Sequence, residues 1–188
     1  MNLPDPPKII GLVGRSRCGK DSTAEYIKNI YQSQCNYSIV RLSSPVKEAA
    51  RILYDFNWEQ LEGNKKEIID ERWNITPRSV FQKITTDVMT TSGLGVMHFT
   101  NLLYNNYEKG VYGDYIIIPD IRYLHDIDEI YKHGGKVLYI QRDNLPIKYD
   151  CENHLDMLDN RNLPTIRNNG MDIKQLHTEI LSAIQLTF

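Results

Sequence analysis

Gly14-Arg-Ser-Arg-Cys-Gly19-Lys20-Asp21-Ser22 is the stretch on which the reading of this chain turns. Its two glycines let the backbone curl tightly, so that successive N–H groups aim inward and form an anion nest. Lys20 adds a mobile positive charge, and a helix starting behind it adds its positive amino-terminal end. Upstream, Lys8 to Val13 (KIIGLV) has the apolar, β-branched character of a short strand. Downstream, Asp21 to Gln32 carries Ala24, Ile27 and Tyr31 at helical spacing. Strand, glycine loop and helix are the setting in which G-x-x-x-x-G-K binds nucleotide phosphates. Gly14, Arg15, Ser16, Arg17, Cys18, Gly19, Lys20, Asp21 and Ser22 are therefore the expected phosphate site. Asp21 stands where the pattern wants Ser or Thr.

The rest of the chain alternates strands with helices. Ser38 to Leu42 is a second strand candidate, and Tyr115 to Ile118 is apolar without alternation, as in a strand buried on both faces. A helix is expected from Tyr123 to His133, with Leu124, Ile127 and Tyr131 on its inner face and Gly134-Gly135 as its stop. Lys136 to Gln141 and Leu163 to Arg167 read as further strands. The last helix carries Ile173, Leu176, Ile180 and Ile184. This order predicts an α/β fold with a mostly parallel central sheet. Two stretches exceed simple crossovers: 43–114, with helices expected at 45–55, 77–91 and 95–109, and the polar 142–162. Insertions at strand ends are where α/β proteins bind substrates.

Composition narrows the class further. With 188 residues, 41% hydrophobic and 24% charged, the chain is expected to be one folded domain. Its net charge of -2 supplies no basic field for nucleic acid or an anionic membrane, and no apolar run approaches the ~20 residues of a membrane span. Cys18, Cys35 and Cys151 form no C-x-x-C pair, which points to a reducing compartment, and the expected location is cytoplasmic.

A phosphate loop alone leaves GTPase, ATPase and kinase open. No Asp is followed by Gly three positions on, which removes the D-x-x-G of a GTPase. Asn64-Lys65-Lys66-Glu67 looks like a guanine-reading tetrad but follows no strand, and Gly93-Leu94-Gly95 lacks the strand a dinucleotide loop needs.

Further blocks carry a resemblance. Gly19-Lys20-Asp21-Ser22 resembles G-K-D-[ST], and Leu42-Ser-Ser-Pro45-Val-Lys47 resembles the segment opening a monophosphate-binding region. Thr76-Pro-Arg78, Phe81-Gln82 and Thr86-Asp87 resemble T-P-R…Q…G-T-[DE]; Pro119-Asp120-Ile-Arg122 with His125-Asp126 resembles P-D-x-R…[HN]-E. Cys151-Glu152 and Asn168-Asn-Gly170 resemble [ST]-E and N-D-G. In order and spacing these blocks are similar to the deoxynucleoside monophosphate kinases of bacteriophages, within the P-loop nucleoside monophosphate kinase superfamily. Three departures stand out: Thr85 replaces a glycine, Tyr149 replaces a histidine, and no Arg occurs from Val88 to Gly95.

The resemblance implies a P-loop NTPase three-layer fold in one kinase domain: core 8–42, 115–141 and 163–188, a helical monophosphate-binding insertion 43–114 and a lid 142–162. It implies an enzyme moving the γ-phosphate of ATP to a deoxynucleoside monophosphate with Mg²⁺, in the host cytoplasm if the source is viral. Lys20, Arg122 and Arg142 are the expected catalytic cations. Lys47, Arg78, Gln82, Thr86, Phe99, Asp120, Arg122 and Asp126 are the expected acceptor site, and Lys148 and Arg161 further lid cations. Asp21, Ser22 and Asp120 offer oxygens to the metal, with a helix cap as the alternative for Asp21. The partners are small-molecule substrates, without nucleic acid or membrane, and a homodimer is allowed. Two other readings stay open: a kinase of another phosphorylated metabolite such as dephospho-coenzyme A, and a nucleotide-binding regulatory module without transfer activity.

Overall fold

The computed structural model describes residues 3–146, 155, 162–170 and 172–185. Strands β1 (Ile9–Val13), β2 (Tyr37–Ile39), β3 (Tyr115–Ile121), β4 (Lys136–Gln141) and β5 (Thr165–Arg167) form one parallel sheet in the order β2-β3-β1-β4-β5. β1 is central and wholly buried, so its pattern is an unbroken apolar run. Alternate residues face opposite layers. Ile10 and Leu12 join a core with Ala24 and Ile27 of α1 (Lys20–Ile30) and Ile180 and Ile184 of α7 (Ile173–Gln185). Gly11 faces the other way, and a Cβ there would lie 2.3 Å from Ile130 Cδ1 of α6 (Leu124–Lys132), so the helix packs directly on glycine. Helices on both sheet faces make three layers. Each fully buried Ile or Leu stabilises this core by roughly 1.5–3 kcal/mol relative to exposure.

Several boundaries differ from the sequence expectation for physical reasons. β2 ends at Ile39 rather than Leu42, and helix α2 (Ser44–Tyr54) follows, with Pro45 in its first turn. β3 runs past Ile118 to Ile121, although Pro119 cannot donate to a ladder. The register explains it: Gly11 pairs with Ile118 and Val13 with Ile121, so β3 bulges at Pro119-Asp120 beyond the last pair to β2, Ile39 with Ile117. In α6 the buried positions are Asp126, Ile127 and Ile130, while Tyr131, expected inward, is 44% exposed. Both stripes obey helical spacing; contact of Ile130 with Gly11 selects between them.

The chain divides into two compact units, Met1–Arg41 with Tyr104–Phe188, and Leu42–Leu103. The second holds α2, α3 (Trp58–Glu62), a 3₁₀ turn (Asn64–Glu67), α4 (Pro77–Thr90) and the start of α5 (His98–Glu108). Its small core is Val46, Ala50, Phe56, Leu61, Val80 and Phe81. Sequence reading missed α3, although Asn57 and Gln60 form a reciprocal capping box, a signal present in the residues themselves. Among the described residues no helix is long and apolar enough to cross a membrane.

Candidate active site

At the carboxyl end of β1 the chain takes positive φ three times within six residues: Gly14 at 148°, Arg17 at 66° and Gly19 at 104°. A Cβ on Gly14 would lie 2.3 Å from Ile140 O and 2.8 Å from Cys18 Sγ, so both conformation and space demand glycine. Cys18 is fully buried in the sheet–helix core, which turns its thiol away from any ligand. Burial raises its pKa, against the opposing pull of Lys20.

Lys20 is folded back over the loop. Its Nζ donates to Gly14 O at 2.7 Å and Arg15 O at 2.8 Å, and the residue is 7% exposed. Burial lowers its pKa, Cys18 opposes this, and the positive charge of Arg122 lowers it again. Lys20 and Arg122 therefore act on one another electrostatically. The register accounts for this influence: Val13 pairs with Ile121, so Arg122 leaves β3 beside the start of the loop. Cations gathered where N–H groups also converge favour a bound polyanion.

Asp126, expected to touch the acceptor, is tied to the backbone at the start of α6. It is 2% exposed, and its Oδ2 accepts from Arg122 N at 3.2 Å and Tyr123 N at 3.0 Å. It braces the amino-terminal end of α6, and with it the backbone of Arg122. Asp120 lies half-buried on the bulge. Arg142 follows β4 directly and is exposed. Of the expected lid 142–162, Lys148, Tyr149, Cys151, Glu152 and Arg161 lie outside the described residues.

Asp21 is not the helix cap. Gly19 holds that position, and the exposed carboxylate of Asp21 accepts from Arg41 Nη2 at 2.8 Å. Surface pairs of this kind contribute ~0–1 kcal/mol, too little to prevent exchange for a stronger cation. Ser22 is exposed next to it. Two carboxylates and a hydroxyl are hard oxygen donors, and among the described residues no group of three or more His, Cys, Asp or Glu forms a metal cage. Mg²⁺ takes donors of this kind, one or two carboxylates beside waters and phosphate oxygens.

Within Leu42–Leu103, Lys47 Nζ bonds Glu62 at 2.7 Å and Arg78 Nε reaches Glu67 at 3.3 Å. Lys66 joins them: burial lowers its pKa first, then the charges of Arg78 and Lys47. Sequence reading passed over Lys66 as part of a false guanine tetrad; the 3₁₀ turn that presents it carries no strong sequence signal. Arg78, Gln82 and Thr86 stand four apart along one face of α4, with Gln82 and Thr86 exposed. Phe99 is half-buried against the small core and meets His98 edge-on, so part of its ring serves packing. A separate cleft of about 490 Å³, lined by Phe56, Gln60, Ile68, Asp70 and Arg72 among others, contains none of the expected acceptor residues.

A parallel sheet with a phosphate loop after its central strand, and an arginine leaving the adjacent strand, defines a P-loop kinase type of fold and site. A family model described as deoxynucleotide monophosphate kinase matches residues 53–180, and the chain belongs to that family of phosphotransferases. A protein of Acanthamoeba polyphaga mimivirus, provisionally named a deoxynucleotide monophosphate kinase, is 23% identical over 94% of this chain and 95% of its own. The crystal structure of TT1252 from Thermus thermophilus aligns with a TM-score of 0.50 at 13% identity, covering 98% of this chain and all of the other, a likeness of fold alone. A dephospho-CoA kinase from Campylobacter jejuni aligns at 0.41 and 14% identity, over 95% of this chain and 96% of its own.

Proposed function

We propose that the enzyme transfers the γ-phosphate of ATP to a deoxynucleoside monophosphate, giving the diphosphate. The observation that carries this reading is the approach of Arg122 to the loop-bound Lys20 at neighbouring strand ends, in a chain of this family. In-line phosphoryl transfer needs alignment and charge neutralisation more than covalent chemistry. The loop 14–22 holds the donor phosphates through inward N–H groups and Lys20. Asp21, Ser22 and Asp120 would hold Mg²⁺, which would supply charge neutralisation to the phosphates. Arg122 offers a planar fork, suited to gripping phosphate oxygens bidentately. Lys47, Lys66, Arg78, Gln82 and Thr86 serve the acceptor, with Phe99 at its base. Arg142 is a further cation for the transferring group.

The substrates are small molecules, and a reaction on ATP and free nucleotides belongs in the cytoplasm. The homodimer allowed by the sequence is tested by light scattering. The deciding experiment is coupled ADP release across deoxy- and ribonucleoside monophosphates, with dephospho-coenzyme A included. We expect slow ADP release with ATP alone and stimulation of at least ~10-fold by one deoxynucleoside monophosphate, since the second substrate completes the site. If no monophosphate stimulates turnover, this function is wrong. Stimulation by dephospho-coenzyme A alone transfers the reaction to that substrate.

A further inference from the structure

The N-D-G-like block at Asn168-Asn-Gly170 has so far received no task, and the structure shows what it touches. Asn168 follows β5, and its backbone N–H donates to Gln141 O at 2.7 Å, extending the ladder with β4 by one residue. Its side-chain Nδ2 donates to Cys18 O at 2.9 Å, across 150 residues of sequence. The same Nδ2 would lie 2.3 Å from a Cβ on Gly19, so the amide packs directly onto that glycine. Next to it, Asn169 accepts from Asp143 N at 2.9 Å and donates to Asp143 Oδ2 at 2.7 Å. The segment carrying Asn168 is thereby anchored on backbone and side chain, a rigid mount rather than a swinging arm.

In a trans peptide the C=O of one residue and the N–H of the next point to opposite sides. Holding Cys18 O against Asn168 therefore turns the N–H of Gly19 away from Asn168. Gly19 itself sits at φ 104°, ψ 18°, a region with no strong steric preference of its own for a glycine. Two glycines make the loop able to form a nest, and also able to leave it. A side chain that can only donate here, the amide NH₂ meeting a carbonyl, removes that freedom at one peptide plane.

We propose that Asn168 is a positioning residue for phosphoryl transfer, clamping the Cys18–Gly19 peptide so that the Gly19 N–H stays aimed at the donor's phosphates. The inference rests on the reading of loop 14–22 as the ATP site. It places a support of the phosphate loop just after β5, far from the motif in sequence. Preorganised N–H dipoles act most where charge develops, so misalignment costs rate and donor affinity and leaves the acceptor untouched.

The test compares wild type with Asn168→Leu, which keeps the shape without the donor, and Asn168→Ala, which removes both. Four readouts are taken: ATP binding by calorimetry without acceptor, kcat and both KM values, the ¹H–¹⁵N resonance of Gly19, and the melting temperature. Both variants should lose roughly 10-fold in ATP affinity or kcat, as for one misaligned contact. The KM for the monophosphate should stay within twofold, and the Gly19 resonance should shift in the free protein. A Leu variant that fails to fold leaves the Ala variant to decide. Unchanged ATP binding and rate in a folded variant overturn the inference while leaving the function intact. Equal losses for both substrates, tracking the melting temperature, also overturn it, by making Asn168 a merely structural residue. Wild type that binds no ATP sinks the donor-site reading itself.

Discussion

The two compact units present their candidate phosphate-binding groups in different ways. In the unit built on the sheet, the candidate site is mostly backbone: a loop with positive φ at Gly14, Arg17 and Gly19, laid on a core of Ile10, Leu12, Ile117 and Leu138. In Leu42–Leu103 the candidate residues are side chains on helices and a 3₁₀ turn, around a core of six buried residues. There Lys47 and Arg78 rest against Glu62 and Glu67, whereas Lys20 rests on carbonyl oxygens of its own loop. A backbone site depends on the fold around it, on its glycines and on the few side chains that bond its carbonyls. A side-chain site is retuned by single substitutions.

The severest break in this comparison is Lys20→Met. It removes the buried side-chain charge of the backbone site, and the rate of phosphoryl transfer should fall by at least ~100-fold. Stability should hold. Burial depresses the folded pKa of Lys20, so the fold holds its charged form less well than water does, and this offsets the two hydrogen bonds that Met gives up. A near-normal rate, or a collapse in melting temperature, would count against this account.

Arg122→Lys comes next. It retains charge and loses the fork, so the monophosphate-dependent rate should drop about 10-fold while ATP affinity changes little. Equal losses in both would assign Arg122 to the donor instead.

Lys66→Met probes the side-chain site. We expect the KM for the monophosphate to rise severalfold, with ATP affinity and melting temperature preserved, because the substitution relieves repulsion among Lys47, Lys66 and Arg78. An unaltered KM would remove Lys66 from the acceptor site.

The smallest effect concerns the frame of the helical unit. The Arg72 guanidinium, with help from Gln60, holds the Asp70 carboxyl well below the usual carboxylate range. A depressed folded pKa means that the stabilisation is complete above about pH 4 and is lost as pH falls through the folded value. Asp70→Asn should lower the melting temperature modestly at neutral pH, and the difference from wild type should shrink on acidification. A difference constant with pH would show that the pair adds nothing through charge.

Much of this was legible in residues alone where local rules suffice. The glycine loop, the β-branched runs at Ile9–Val13 and Tyr115–Ile118, and the strand–helix alternation follow from backbone sterics and burial periodicity, which act over a few residues. The capping box at Asn57 and Gln60 was equally local and simply overlooked. Tertiary structure decided the rest, because pairing and packing compare residues far apart in the chain. Contact of Ile130 with Gly11 selected the buried stripe of α6, and the bulge at Pro119-Asp120 carried β3 to Arg122. Asp126 became a brace because its carboxylate accepts from the N–H groups of Arg122 and Tyr123, where β3 hands over to α6. Asn168 reached Cys18 only because β5 and β1 flank β4 in one sheet. Periodicity tells which residues seek burial; only the assembled sheet determines what they are buried against.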